Sequence, residues 1–154
     1  MKYYFDTCAY VKLLHEENGS GRVEQIFNDN SDNLVFSRLL FTEVYSTLYK
    51  KFRHGEITDE NIVSSTLNGF ERDMQYELVV ELDESIFLEA SQIIKKYGAE
   101  QEIKTYDALH LATCSLINRI EETTMVSSDK NLCKIAVKMG IEYLNPEEGI
   151  ADTY

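Results

Sequence analysis

Residues 2–14 read KYYFDTCAYVKLL: a short aromatic run, one aspartate, then a stretch whose apolar character is carried by Ala9, Val11, Leu13 and Leu14. Tyr and Phe suit the pleated surface of a strand, and the residues after Asp6 suit a helix. The stretch predicts a strand over 2–5, a helix over 7–14, and an aspartate at the joint. Near the other end, residues 124–139, TMVSSDKNLCKIAVKM, predict a strand over 124–127, then Asp129, then a helix to 139.

Beyond these two stretches the alternation continues. Gly19-Ser20-Gly21 opens a helical segment through Val23, Ile26 and Phe27, and a polar turn over 28–33 precedes a strand over 34–37. Leu40, Val44, Tyr45, Leu48 and Phe52 recur at helical spacing, and His54-Gly55 closes that run. A helix over 58–74 follows, with Thr58 as its expected N-cap, then a strand over 76–82 and a helix from Asp83 to Gly98. A helix over 105–120 and a last strand over 141–144, before Pro146, complete the pattern. Strands joined by helical crossovers, without hairpin dipeptides, imply a mainly parallel sheet covered on both faces. The expected fold is therefore a three-layer α/β/α domain, and 154 residues leave room for one domain over 1–154. In such sheets ligands bind beyond the carboxyl ends of the strands, where strand order reverses. Asp6 and Asp129 stand at two such ends.

Composition narrows the function classes. Cys8, Cys114 and Cys133 are odd in number and lack CxxC spacing, which excludes a disulfide framework or zinc ribbon and points to reduced cytoplasmic thiols. No run approaches the roughly 18 apolar residues of a membrane span. A net charge of −12 repels nucleic acid over most of the surface. A local pocket in which divalent cations dominate the charge can still bind phosphate.

Four carboxylates merit separate readings. Asp6 and Asp129 each suit a helix N-cap, with Ser128 competing for the second. Asp107 is different, because its helix carries Ala108, Leu109, Leu111, Ala112, Cys114, Leu116 and Ile117 and is apolar on nearly every side. An ionised carboxylate there costs several kcal/mol unless a cation or hydrogen bonds compensate it; the bland alternative has Thr105 as the cap and Asp107 in a wet first turn. By periodicity Glu43 is a solvated helix residue at the edge of the Leu40, Val44, Leu48 stripe. His110, one turn from Asp107, reads as a core or interface histidine, with a contact to the site as the alternative, and His15 and His54 belong to no constellation.

The segments FDTCAYVKLL (5–14), SRLLFTEVYSTL (37–48), KTYDALHLATC (104–114) and MVSSDKNLCKIAVKMGIEYLNP (125–146) together resemble the successive motifs of PIN-domain proteins, especially the VapC-like toxin ribonucleases. DALHLA and the strand-then-Ser-x-Asp segment are the most specific parts. The resemblance implies a metal-dependent ribonuclease whose Asp6, Glu43, Asp107 and Asp129 bind Mg²⁺ or Mn²⁺ and carry catalysis. Thr7 and Ser127 match small hydroxyl residues that support those carboxylates. It also implies an RNA substrate, a homodimer, and a small antitoxin that inserts an arginine into the acidic groove. Hard oxygen ligands suit these ions, and such an ion lets hydrolysis proceed without a catalytic histidine. Lys12, Arg38 and Lys104 lie near the acidic motifs in sequence and are candidate phosphate contacts.

Two other classes compete. A haloacid-dehalogenase-like phosphatase also starts with a strand ending in a nucleophilic Asp, but needs a second Asp where this chain has Cys8. A PIN-like binding module with little catalysis would use the acidic surface to hold a basic partner.

Overall fold

Five parallel strands form the centre of the computed structural model, which describes residues 1–148. They are β1 (Lys2–Phe5), β2 (Leu34–Ser37), β3 (Leu78–Val80), β4 (Thr123–Val126) and β5 (Glu142–Leu144), in the order β3-β2-β1-β4-β5. The chain steps from β1 to β2 to β3 at one edge, then returns to lay β4 on the free side of β1. Strand order thus reverses between β1 and β4, whose ends are in register, Phe5 opposite Val126. The Asp6 N–H continues the ladder to Val126 O at 3.2 Å.

Seven α-helices connect the strands: α1 (Thr7–Leu14), α2 (Ser20–Asp29), α3 (Leu39–Arg53), α4 (Glu60–Asp73), α5 (Glu84–Tyr97), α6 (Thr105–Asn118) and α7 (Lys130–Lys138). Successive side chains of a strand point to opposite faces. Tyr4, Val35 and Met125 accordingly face a core shared with α5, α6 and α7, while Phe5, Phe36 and Val126 face a second core shared with α1 to α4. This division makes the three layers. It also explains why β2 and β4 are buried at every position instead of alternating between buried and exposed. In the second core Phe36 packs against Phe5, Tyr10 and Phe27 with ring centroids 5.8, 5.5 and 6.5 Å away.

Local details depart from the sequence reading in four places. The N-cap of α4 is Asp59, not Thr58, because the Asp59 carboxylate accepts from Asn61 N at 2.8 Å. Lys104, not Thr105, holds the cap position of α6, and its backbone N–H is taken by Asp107. The third strand is only Leu78–Val80, preceded by a 3-10 turn at Met74–Tyr76; β3 is an edge strand with β2 as its one neighbour, and Tyr76 is 85% exposed. β4 ends at Val126, so Ser127 lies beyond the strand with its side chain directed to Asp6.

Candidate active site

The β1–β4 switch point opens into a cavity of about 620 Å³ whose lining includes Asp6, Glu43, Asp107 and Asp129. Each comes from a different place in the fold. Asp6 follows β1 and Asp129 follows β4, Glu43 stands in the second turn of α3, and Asp107 stands in the first turn of α6.

Asp6 is 3% exposed and performs two tasks. One oxygen, Oδ1, accepts from Ala9 N at 2.9 Å and caps α1. The other, Oδ2, accepts from Ser127 Oγ at 2.6 Å. Ser127 Oγ in turn accepts from Asp129 N at 3.0 Å, so one fully buried hydroxyl ties the two switch-point aspartates together. Asp129 caps α7 through Asn131 N and Leu132 N at 2.8 and 3.0 Å. Burial pushes the Asp6 carboxyl above its ordinary range, only partly opposed by His110, Ser127, Ala9 and Cys8. Cys8 Sγ lies 3.1 Å from both Asp6 oxygens, and burial, reinforced by the Asp6 charge, drives this thiol far above the usual thiol range. Cys8 therefore stays protonated as a weak donor, and it cannot replace the general-acid Asp of a phosphatase of the haloacid-dehalogenase kind.

On the opposite wall, Glu43 Oε2 accepts from Thr7 Oγ1 at 2.5 Å and lies 2.7 Å from His110 Nε2. Burial alone would raise the Glu43 pKa, but the hydrogen bond and charge of His110, together with Thr7, outweigh it and hold this carboxyl low. Thr7 thus supports Glu43 and Ser127 supports Asp6. Asp107 is half-buried and accepts from Lys104 N at 3.0 Å; burial raises its pKa, and the nearby Asp129 charge raises it further.

The structure separates the three expected phosphate contacts. Lys12 lines the cavity but is 4% exposed, with Nζ bound to Asn18 O and Glu147 Oε1 at 2.8 Å each. Arg38 is not in the lining: its guanidinium pairs with Glu81 and lies 4.5 Å from the centre of the Phe41 ring. Lys104 is exposed beside Asp107, where its charge acts to lower the Asp107 pKa. Residues that the sequence reading overlooked line the cavity instead. Lys50 lies seven residues beyond Glu43 on α3, with Thr47 between them, so the three share one helix face. The spacing of 43, 47 and 50 is present in the sequence, but nothing local distinguishes such a polar stripe from an ordinary solvated face. Lys51 also lines the cavity and pairs with Glu56 at 2.9 Å. Tyr106, 57% exposed, stands at its rim beside Asp107.

No Lys or Arg forms an ion pair with Asp6, Asp107 or Asp129 among the described residues. Carboxylates without a basic partner, two of which, Asp6 and Asp107, have raised pKa values, suit a cation, and their all-oxygen chemistry suits a hard one. Among the described residues no three His, Cys, Asp or Glu side chains come close enough to enclose an ion. The arrangement therefore fits an ion that keeps several waters and takes only one or two carboxylates directly, as Mg²⁺ commonly does, better than it fits a protein cage.

Residues 3–138 match the family model described as PIN domain. Over 114 residues the chain is 29% identical to ribonuclease VapC45 of Mycobacterium tuberculosis (strain CDC 1551 / Oshkosh), spanning 71% of this chain and 72% of that protein. Its fold is similar to that of the DNA-bound VapBC structure from Salmonella typhimurium, with a TM-score of 0.69, 13% identity, and 95% and 98% of the two chains covered. A toxin-antitoxin complex from Klebsiella pneumoniae superposes with a TM-score of 0.64 at 13% identity, covering 96% of this chain and 100% of that one. All three cysteines are free, and no helix among the described residues is long and apolar enough to cross a membrane.

Proposed function

Because the chain belongs to the PIN domain family, we propose that it is a Mg²⁺- or Mn²⁺-dependent endoribonuclease and the toxin of a toxin–antitoxin pair, working as a cytoplasmic homodimer. The observation that carries the reading is the shared pocket of Asp6, Glu43, Asp107 and Asp129, in which none of the four pairs with a Lys or Arg among the described residues and only Glu43 pairs with a histidine, His110.

In this reading Asp6, Asp107 and Asp129 hold the ion, directly or through its waters, and Glu43 completes the acidic ring. When bound, the ion supplies Lewis acidity toward the scissile phosphate and lowers the pKa of an attacking water. Ser127 keeps Asp6 and Asp129 in fixed relation by bonding to both. Lys50 and Lys51 draw the phosphate backbone to the mouth of the pocket, against a net charge of −12. Tyr106 offers an exposed ring on which a base can stack. Inhibition follows from the same charges: an antitoxin arginine entering the pocket pairs with carboxylates in a two-pronged geometry and competes with the cation.

The test is RNA cleavage with Mn²⁺ or Mg²⁺, with EDTA, and with Asp107→Asn as the control for contaminating nuclease. Metal-dependent cleavage lost in Asp107→Asn supports the reading. Equal behaviour of wild type and mutant across RNAs and metals would replace it with the binding-module reading. Light scattering after size exclusion checks the dimer.

A further inference from the structure

Beneath the pocket, Tyr4, Thr7, Glu43 and His110 form a buried polar chain that links β1, α1, α3 and α6. Tyr4 OH lies 2.6 Å from His110 Nδ1, and His110 Nε2 lies 2.7 Å from Glu43 Oε2. Tyr4 is fully buried and His110 is 4% exposed, in a helix whose neighbouring residues Leu109 and Leu111 are apolar core. A polar ring in such a place is costly unless both nitrogens are satisfied, and here both are. The partners settle where the ring proton sits. Glu43 as a carboxylate can only accept, so Nε2 carries a hydrogen and donates to it; neutral Nδ1 accepts from the Tyr4 hydroxyl. If the ring takes a second proton, Nε2 still donates to Glu43.

Both hydrogen-bond partners of Glu43 among the described residues, Thr7 and His110, converge on Oε2. Oε1 has no hydrogen-bond partner among those described. The carboxylate is held by one oxygen with the other left over, on a side chain 23% exposed to the pocket.

We infer that His110, oriented by Tyr4, is a positioning residue for Glu43: it clamps Oε2 so that Oε1 is presented to a divalent cation or to its water shell. The inference rests on the metal-dependent reading of the pocket. It extends that reading to an element the carboxylates alone do not specify. Hydrogen-bond partners that orient the ligands of a metal typically matter about 10–100-fold in metal affinity or activity when removed. A histidine serving only the core would matter for stability and not for the ion.

The deciding experiment titrates Mn²⁺ into metal-free wild type, His110→Leu, His110→Gln, Tyr4→Phe and Asp107→Asn by calorimetry, with thermal melts in EDTA and single-turnover RNA cleavage alongside. His110→Leu is expected to weaken Mn²⁺ binding by roughly 10–100-fold and to lower kcat more than it raises KM for RNA. His110→Gln, whose amide N–H can still reach Glu43, recovers part of that loss. Tyr4→Phe shows a smaller loss of the same kind. Mn²⁺ affinity within twofold of wild type in folded His110→Leu, or no recovery in His110→Gln, overturns the inference and leaves His110 a core residue. If His110→Leu does not fold, His110→Gln and Tyr4→Phe decide by the same readout: affinity within twofold of wild type in both overturns it. Failure of the underlying reading looks different, since Asp107→Asn then binds Mn²⁺ like wild type or wild type binds none, and both proposals fall.

Discussion

Asp6 and Asp83 perform the same local task in two different places. Each precedes a helix in extended conformation, and each accepts a backbone N–H from the third residue on, Ala9 N at 2.9 Å and Ile86 N at 3.2 Å. Asp129 also caps α7, through Asn131 N and Leu132 N, and Asp59 caps α4 through Asn61 N. Yet Asp83 is exposed and its hydrogen bonds with Ser85 and Ile86 hold its pKa low, whereas Asp6 is buried at the switch point with its pKa raised. Capping therefore explains why an aspartate stands at all four positions, and it does not explain why two of them face the pocket. The pocket pair differs by where its strands lie: β1 and β4 are adjacent and their order reverses between them.

Replacing each capping aspartate by asparagine tests that difference most sharply, because asparagine still caps a helix but carries no charge. Asp6→Asn and Asp129→Asn are expected to lower RNA cleavage by roughly 100-fold or more, as several kcal/mol of cation-based stabilisation disappear. Asp59→Asn and Asp83→Asn should cleave like wild type. Comparable losses at all four sites would show that helix integrity, and not the pocket charge, governs activity.

Divalent ions should stabilise the wild type and much less the pocket variants. At an Mn²⁺ concentration about 100 times Kd, binding to the folded state alone contributes about 2.7 kcal/mol, readable as a rise in melting temperature over the EDTA sample. The rise should shrink sharply in Asp6→Asn and persist in Asp83→Asn.

A smaller effect concerns substrate. Lys50→Ala is expected to raise KM for RNA with kcat little changed, and to flatten the salt dependence of binding by about one unit of slope. Arg38→Ala, whose guanidinium is already engaged by Glu81 outside the pocket, should leave that slope unchanged.

The smallest effect is one of pH on the metal-free protein. Folded Asp6 holds its proton more tightly than the unfolded chain does, so its contribution is fully present below the ordinary aspartate pKa and is lost as pH rises through the raised folded value. Asp6→Asn has no such loss. In EDTA its stability relative to wild type should increase across that window, and denaturant melts at several pH values would register the opposite trend if burial did not raise Asp6.

Much of the fold was legible because its signals are local. The strand–Asp–helix runs at 2–14 and 124–139, the α3 stripe of Leu40, Val44 and Leu48, and the Asp83 cap each involve residues within a few positions of one another. Asp107 shows where that legibility stopped. Its apolar neighbours suggested a carboxylate trapped in the core, but the first turn of α6 stands at the pocket edge, half-open and bonded to Lys104 N. Glu43 read as a solvated residue because periodicity reports one helix face and not what another element brings to it.

By itself, the sequence determined the alternation of elements, the caps at Asp6 and Asp83 and the burial of the central strands on both faces, since backbone hydrogen bonding and side-chain period act over one or two turns. Only the tertiary structure decided that Thr7 and His110 meet Glu43, across 36 and 67 residues, and that Tyr4 meets His110 across 106. Those contacts depend on strand order and on which helix covers which face of the sheet, and no local pattern encodes that choice. A buried polar group must find its partner wherever the chain delivers one, and here the β1–β4 reversal delivers it.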